Sequence, residues 1–415
     1  MTEDRLPRLD VAFVRGQFPA FEDPDLTGWA FMENAGGSYP ARQVIDRLSG
    51  FYTRTKVQPY YDNPISRRAG AAMDLAYEHL AAHLNVAAEE VHLGPSTSQN
   101  TYVLAHAMRP LWRAGDEIVV TNQDHEANSG AWRRLAETGV VVREWRVHPV
   151  SGQLDPADLD GLVGPRTRLV AWPHCSNVVG HWNPVAAIVD RARAVGAATV
   201  VDGVAAAPHG LPDVAALGAD VYLFSLYKTW GPHLGLMTVR RALLDRLTNQ
   251  SHYFHARNAR KMLLPAGPDH AQIAAAAGVT DYLAAVHAHH FGDAADPPEQ
   301  GRRLRELFGA RERALMAPLL AWLGERDDVR LLGPVNPEER APTIAFVPLR
   351  RDARQVFAAL TAHRLMLGMG HFYAPRLLDA TGIPLEPGVL RLSFLHYTTE
   401  AEIQQALTAL QAALG

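Results

Sequence analysis

The sequence predicts an α/β fold, with a large domain on a mostly parallel sheet and a smaller C-terminal α+β domain. Three observations carry this expectation. Of 415 residues 47% are hydrophobic and 20% charged, enough apolar surface to bury a large core. Short β-rich runs alternate with segments of helical spacing from Glu90 to Ser225, the pattern of parallel strands covered by helices on both faces. The stretch Gly292–Gln300, with Asp293, Asp296, Pro297 and Pro298, reads as a solvated connection, and beyond it the alternation gives way to a mixed pattern. The expected division is an N-terminal arm over 1–25, a large domain over 26–291 and a small domain over 292–415.

The strand candidates of the large domain are Glu90–Gly94, Glu117–Thr121, Val140–Val147, Thr167–Pro173, Ala198–Asp202 and Asp220–Ser225. Thr97–Met108, Asn128–Glu137 and Pro184–Ala194 carry helical spacing between them. In the small domain the spacing predicts helices at Arg302–Leu323, Ala353–Ala362 and Glu400–Leu414. Its strands are expected at Val329–Leu332, Thr343–Leu349 and Val389–Phe394.

Composition removes several function classes. Asp and Glu total 44 against 40 Lys and Arg, a net charge of -4, so there is no basic footprint for nucleic acid. The single cysteine, Cys175, excludes an internal disulfide and a multi-thiolate metal site and fits a reducing compartment. Met1–Asp10 is charged, with no apolar signal-peptide core, and no apolar run reaches membrane-spanning length, so the expectation is a cytoplasmic protein without a membrane partner. No G-x-G-x-x-G follows an early strand, which disfavours a nicotinamide dehydrogenase. The sheet pattern begins too near the N-terminus to leave room for a nucleic-acid-binding module, which disfavours a regulator. His287, His289 and His290 read as favourable charge at a helix C-terminus, and no metal is expected.

In an open α/β sheet the ligand sits beyond the carboxyl ends of the strands, so the residues after each strand are read for chemistry. Pro95-Ser96-Thr97-Ser98 opens a helix, where hydroxyls and free N–H groups suit a phosphate and equally suit an ordinary N-cap. His125 follows the next strand, where an imidazole stacks on a ring or shuttles a proton when it is not an inert loop residue. His174-Cys175-Ser176-Asn177 follows Pro173; Cys175 reads as a small buried hydrophobe and Asn177 as a turn residue on the plainer view. Asp202 ends an apolar strand, where it either needs a cationic partner or caps a turn. Ser225-Leu226-Tyr227-Lys228 then places an amine directly after an apolar strand, and desolvation there makes an amine nucleophilic. Only Lys56, Lys228 and Lys261 are lysines, and the other two lie in polar or cationic stretches, so Lys228 is the candidate by elimination. A phosphate cradle, an imidazole, a strand-end carboxylate and a buried lysine in this order are the parts that hold pyridoxal phosphate.

These residues resemble the class V, fold-type I family of pyridoxal-phosphate enzymes, most closely its cysteine desulfurase-like branch, over nearly the whole chain. The resemblance rests on Asp124-His125-Glu126-Ala127-Asn128, Ser176-Asn177-Val178-Val179-Gly180, Val201-Asp202-Gly203 and Ser225-Leu226-Tyr227-Lys228. Gly231-Pro232-His233-Leu234-Gly235, Leu390-Arg391-Leu392-Ser393 and His396-Tyr397 complete it. It implies a pyridoxal 5'-phosphate cofactor with His125 stacked on its ring, Asp202 on the pyridine nitrogen and Lys228 as the Schiff-base lysine. Asn177 would lie near the phenolic oxygen or the substrate, and Ser96, Thr97, Ser98, Ser225 and Tyr227 would hold the phosphate. Arg391 would pair bidentately with a substrate carboxylate, against the plainer reading of a surface ion pair, with Asn34 and Tyr373 as further substrate contacts. The family also implies a homodimer with the cofactor near the subunit interface.

Three positions depart from the family. Ala205 stands where a glutamine often partners the ring oxygen, and Ala266-Gly267-Pro268-Asp269-His270 replaces a Gly-Thr loop that reaches the neighbouring phosphate. Tyr373, in Gly370-His371-Phe372-Tyr373-Ala374, stands where desulfurases carry the cysteine that becomes a persulfide. The expected activity is therefore removal of the α-proton of an amino acid with a free carboxylate, followed by β-elimination of the carbon–sulfur lyase type. Transamination or epimerisation is the alternative, and a cysteine desulfurase with an atypical sulfur route the next.

Overall fold

The computed structural model describes residues 6–415; the first five residues of the arm lie outside the described residues. In chain order the helices are α1 (Val11–Arg15), α2 (Arg42–Arg54), α3 (Pro64–Leu84), α4 (Thr97–Met108), α5 (Glu126–Arg133), α6 (Val185–Ala194), α7 (Val214–Leu217), α8 (Arg241–Leu244), α9 (His270–Phe291), α10 (Pro297–Gly324), α11 (Ala353–Ala362), α12 (Pro375–Ala380) and α13 (Glu400–Leu414). The strands are β1 (Ala30–Phe31), β2 (Val91–Gly94), β3 (Glu117–Thr121), β4 (Val141–Trp145), β5 (Thr167–Pro173), β6 (Ala198–Asp202), β7 (Val221–Ser225), β8 (Gly235–Val239), β9 (Val329–Leu331), β10 (Thr343–Pro348), β11 (Leu365–Met366), β12 (Gly368–Gly370) and β13 (Val389–Ser393). No helix among the described residues is long and apolar enough to cross a membrane.

The large sheet runs in the order β2-β8-β7-β6-β5-β3-β4. All its strands are parallel except β8, which pairs antiparallel with both β2 and β7. The sequence pattern does not announce β8: Gly-Leu-Met-Thr-Val is buried throughout, so it has no polar alternation to read. The small sheet is antiparallel, β12-β13-β10-β9. The short β1 pairs in parallel with β11, so Ala30 and Met32 pack into the core of the small sheet although they precede the large one.

The expected connection Gly292–Gln300 is shorter than read. Only Gly292 to Asp296 is non-helical, because Pro297 and Pro298 fill the first turn of α10, where a missing N–H breaks no helical bond. Asp296 caps that turn, accepting from the Glu299 N–H at 2.9 Å. The expected helix Asn128–Glu137 instead starts at Glu126 behind the His125 cap and tightens into a 3₁₀ turn over Arg134–Thr138. α10 serves both cores, with Leu304, Leu307 and Phe308 in the main one and Leu315 to Leu323 in that of the small sheet.

The arm is fastened by the histidines at the end of α9. His289 stacks on Phe13 at 3.8 Å and bonds Asp10 Oδ2 at 3.0 Å, while His290 Nε2 accepts from the Asp10 N–H at 2.8 Å. Farther along the arm, Phe18 is fully buried edge-on to Tyr282 and Tyr397.

α9 is largely apolar along its length, as a helix packed against α2, α3 and α10 must be. Its contact with α2 is backbone against side-chain-free backbone: a Cβ on Gly278 would lie 2.5 Å from the Val44 nitrogen. Gly278→Ala is expected to lower stability by about 1–3 kcal/mol through overpacking, although alanine alone favours a helix by about 1 kcal/mol. The midpoint of urea unfolding measures the balance.

Candidate active site

The carboxyl ends of β3, β5, β6 and β7 meet the start of α4 around a cavity of about 100 Å³, lined by Ser96, Thr97, Ser98, His125, Asn177, Asp202, Ser225, Tyr227 and Lys228. The sequence scattered these residues over more than a hundred positions; the parallel strands bring them to one edge. Ser96 caps α4, its Oγ accepting from the Gln99 N–H at 3.2 Å. Thr97 and Ser225 are buried with their hydroxyls 2.7 Å apart. The approach depends on Gly235: a Cβ there would lie 2.3 Å from the Ser96 carbonyl carbon and 2.4 Å from the Thr97 nitrogen. Tyr227 stacks on exposed His233, ring centroids 4.6 Å apart.

Lys228 closes a 3₁₀ turn directly after β7, enclosed by protein but open to the cavity. Burial, aided by the Arg391 charge, pulls its amine down to about 8, against the opposing charges of Asp202 and Glu33. Lys56 and Lys261 are exposed. Asp202 is buried at the end of β6, its Oδ1 accepting from the Val204 N–H at 2.8 Å. Burial pushes its carboxyl up to about 6, with that bond and Lys228 pulling the other way. His125 caps α5 by accepting from the Ala127 N–H at 3.0 Å and stacks on Tyr373 at 5.2 Å. Burial, with Lys228 and Arg391, holds its imidazole down at about 4, so the ring is neutral at pH 7.

Arg391 is no surface ion pair. It is buried on β13, donating from Nη2 to Glu33 Oε1 at 2.7 Å and from Nη1 to the Asn177 carbonyl at 3.0 Å. The Phe372 ring lies 3.7 Å from its guanidinium carbon. Asn177 donates from Nδ2 to the Phe372 carbonyl at 2.9 Å. Tyr373 is 67% exposed at the lip. Asn34 shares a wall with Lys228, but its amide is committed: Nδ2 donates to the Phe31 and Ser393 carbonyls and Oδ1 accepts from the Tyr397 hydroxyl. Glu33 and Phe372 escaped the sequence analysis; the signal available was their adjacency to Asn34 and Tyr373. Cys175 is buried, its Sγ set against the Gly180 carbonyl at 3.1 Å, and burial pushes the thiol up to about 12.

The donor set fits pyridoxal phosphate. A pair of buried hydroxyls at a helix N-terminus suits a phosphate, a buried carboxylate without a cation of its own suits a pyridinium, and a desolvated amine suits a carbonyl. Residues 30–406 match the Aminotransferase class-V family. An aminotransferase-like protein, FGM3, of Gibberella zeae is 31% identical over 418 residues, covering 98% of this chain and 99% of its own. A cysteine desulfurase of Pectobacterium carotovorum is 30% identical over 420 residues, covering 96% of each chain. Among solved structures, the cysteine desulfurase CsdA of Escherichia coli has the same fold, with a TM-score of 0.81 at 23% identity over 98% of both chains. The chain belongs to the class-V aminotransferase family and is a pyridoxal-phosphate-dependent enzyme.

An amine must shed its proton before it attacks a carbonyl. With the Lys228 amine at about 8, the rate at which apoprotein takes up pyridoxal phosphate is expected to rise through that pH and level off above it, well below the 10.5 of an ordinary lysine. Visible absorbance after mixing, followed across pH, measures it.

Proposed function

We propose that the enzyme holds its cofactor through Lys228 and catalyses β-elimination on an amino acid with a free carboxylate, cleaving the carbon–sulfur bond of a cysteine-type substrate. The observation that carries the choice over sulfur transfer is the absence of a usable thiol among the described residues: Tyr373 occupies the lip, and Cys175 is buried with its thiol raised to about 12. The sulfur chemistry is supported by likeness to a protein named a cysteine desulfurase. Transamination is the second reading, supported by the relative named aminotransferase-like; epimerisation would share the first proton transfer.

When bound, the cofactor supplies an electron-withdrawing ring that stabilises negative charge at the substrate α-carbon. In this reading Lys228 Nζ takes the α-proton, for which an amine near 8 is well matched. Asp202 would hold a proton on the ring nitrogen, and neutral His125 would lie beside the ring. Thr97 and Ser225, with Ser96, Ser98, Tyr227 and the N–H groups opening α4, hold the phosphate. Arg391 would bind the substrate carboxylate, with Asn177 near the ring oxygen or the substrate and Tyr373 toward the leaving group. Asn34 acts through the backbone it pins beside Lys228.

Lys228→Ala is expected to abolish the yellow colour of the purified protein. Asp202→Asn should retain cofactor but lose about a hundredfold or more in turnover. Mass spectrometry of enzyme quenched during turnover with cysteine should show no added sulfur, and Cys175→Ser should keep its activity. A sulfur on Cys175, with activity lost in Cys175→Ser, would restore the desulfurase reading. Pyruvate with sulfide as products marks elimination, whereas a keto acid without sulfide marks transamination.

A homodimer belongs to the same reading. Exposed Tyr60, Tyr61, Tyr253 and Phe254 border the open cavity of about 570 Å³ that includes Tyr60, His252, Arg260 and Gly267. Apolar exposure on that scale marks an interface, and a second copy would bring its Ala266–His270 loop close to the site. Sedimentation at micromolar protein should give twice the 45.5 kDa chain mass; a fully active monomer would refute it.

A further inference from the structure

We infer that Glu33 is a built-in competitor for the carboxylate subsite of Arg391, so that a substrate carboxylate is admitted by displacing it. The inference rests on the reading above that Arg391 receives that carboxylate.

Two of the three Arg391 nitrogens are engaged. Nη2 is held by Glu33 Oε1 at 2.7 Å, Nη1 by the Asn177 carbonyl at 3.0 Å, and one face of the guanidinium by Phe372. The hold of Glu33 is incomplete, however. Only one of its oxygens is used: Oε2 is buried and accepts no hydrogen bond, and Arg391 Nε donates none. A bidentate carboxylate engages two parallel donors and is the stronger partner, while an unsatisfied buried oxygen is a standing penalty. An incoming carboxylate that takes two donors therefore gains what Glu33 leaves unused.

The surroundings allow the exchange. Glu33 lies in a groove kept open by missing side chains: a Cβ on Gly36 would approach its Oε1 to 2.9 Å, and one on Gly368 would approach Oε2 to 2.7 Å. Its backbone is pinned to the strand that carries Arg391, through the bridge to Ser393 and the Asn34 N–H donating to the Ser393 carbonyl at 3.2 Å. Only the side chain has to swing, and it is 27% exposed, so a path to solvent exists. Without Glu33, Lys228 and Arg391 would face Asp202 alone and the cavity would favour any small anion. With it, the charges balance and admission depends on the geometry of a true carboxylate. Glu33 thus acts as a specificity-determining residue for the carboxylate end of the substrate.

The probe is sodium propionate, a carboxylate without the amine needed for turnover, titrated calorimetrically into holoenzyme, with neutral propionamide as control. Glu33→Gln keeps length and an acceptor oxygen but loses the charge, and is expected to bind propionate about tenfold more tightly, the scale of one charge-assisted hydrogen bond. Glu33→Asp, with the carboxylate drawn back by one methylene, should fall between, and propionamide should not distinguish the three proteins. The KM of the amino-acid substrate should fall in the same order. Thermal unfolding reports whether each variant is folded, and Glu33→Asp carries the test if Glu33→Gln is not. Unchanged or weaker propionate binding in the folded variants would overturn the inference and make Glu33 a positioning residue. Arg391→Ala separates the two levels: loss of propionate binding there without a gain in Glu33→Gln rejects the competitor alone. Retained binding in Arg391→Ala rejects the carboxylate subsite as well.

Discussion

The site depends on a close approach of main chain to main chain at Gly235. This residue pairs with Gly94 on one side and Ser225 on the other, because β8 is inserted antiparallel between β2 and β7. Its missing side chain lets the start of α4 settle onto the sheet, so that Thr97 reaches Ser225 and the free N–H groups of the helix face the cavity. Any Cβ there would lift the helix by the better part of an ångström, and the hydroxyl pair would part. The same strand ladder fixes the turn that carries Lys228, since the Leu226 N–H donates to the Leu234 carbonyl at 2.8 Å. Gly231 completes that turn, pressed between Leu226 and Val279 of α9. α9 thus supports Lys228 from below.

Burial sets the electrostatics on this frame. The same desolvation lowers the Lys228 amine and raises the Asp202 carboxyl, bringing the two toward each other near neutral pH. Asp124, buried just before His125 and bonded to Thr121 and Asn128, is raised further, to about 8, by burial and by the charge of Asp202. A protonated Asp124 adds no second negative charge beside Asp202, which leaves Asp202 the anion available to a pyridinium. The cations are graded as well: Arg391 keeps its charge although burial lowers it, while His125 gives up its own. Burial thus brings Lys228 and Asp124 both to about 8, while His125 stays neutral and Arg391 charged.

Much of this was legible in sequence because local pattern and tertiary demand agree. Glu117–Thr121, Thr167–Pro173 and Ala198–Asp202 are bounded by turn chemistry and rich in β-branched residues, and the structure returns them with the same ends. Ser96, Thr97, Ser98, His125, Asn177, Asp202, Ser225, Tyr227 and Lys228 line one cavity, since parallel strands deliver their carboxyl ends to one edge, whereas Asn34 lines a neighbouring one. The failures have a common cause. β8 is buried throughout and α9 is apolar over most of its length, so neither carries a clear period to read. Asn34 was singled out beside a residue that reaches Arg391, yet Glu33 belongs to a contact across 358 positions that no local pattern encodes. Phe372 was overlooked because its partner, the Arg391 guanidinium, arrives from another strand.

The loop over the cavity shows how the fold sustains such a contact. Phe372 and Tyr373 both adopt positive φ, 47° and 57°, where each bulky residue is strained by about 1–3 kcal/mol. The strain is offset by what the conformation permits. The Phe372 carbonyl accepts from Asn177 and the Tyr373 carbonyl accepts from the Glu126 N–H at 2.7 Å, so two successive peptide groups of the small domain dock on the large one. Gly368, facing Arg391 across the β12–β13 ladder, leaves room for the Phe372 ring, to which a Cβ would come within 2.6 Å. The guanidinium is therefore covered by an aromatic face contributed by the same segment that places Tyr373 at the lip. Identity at position 373 is free to vary with the chemistry, because the loop is held by its carbonyls and by Phe372 rather than by the tyrosine side chain, which remains mostly in solvent.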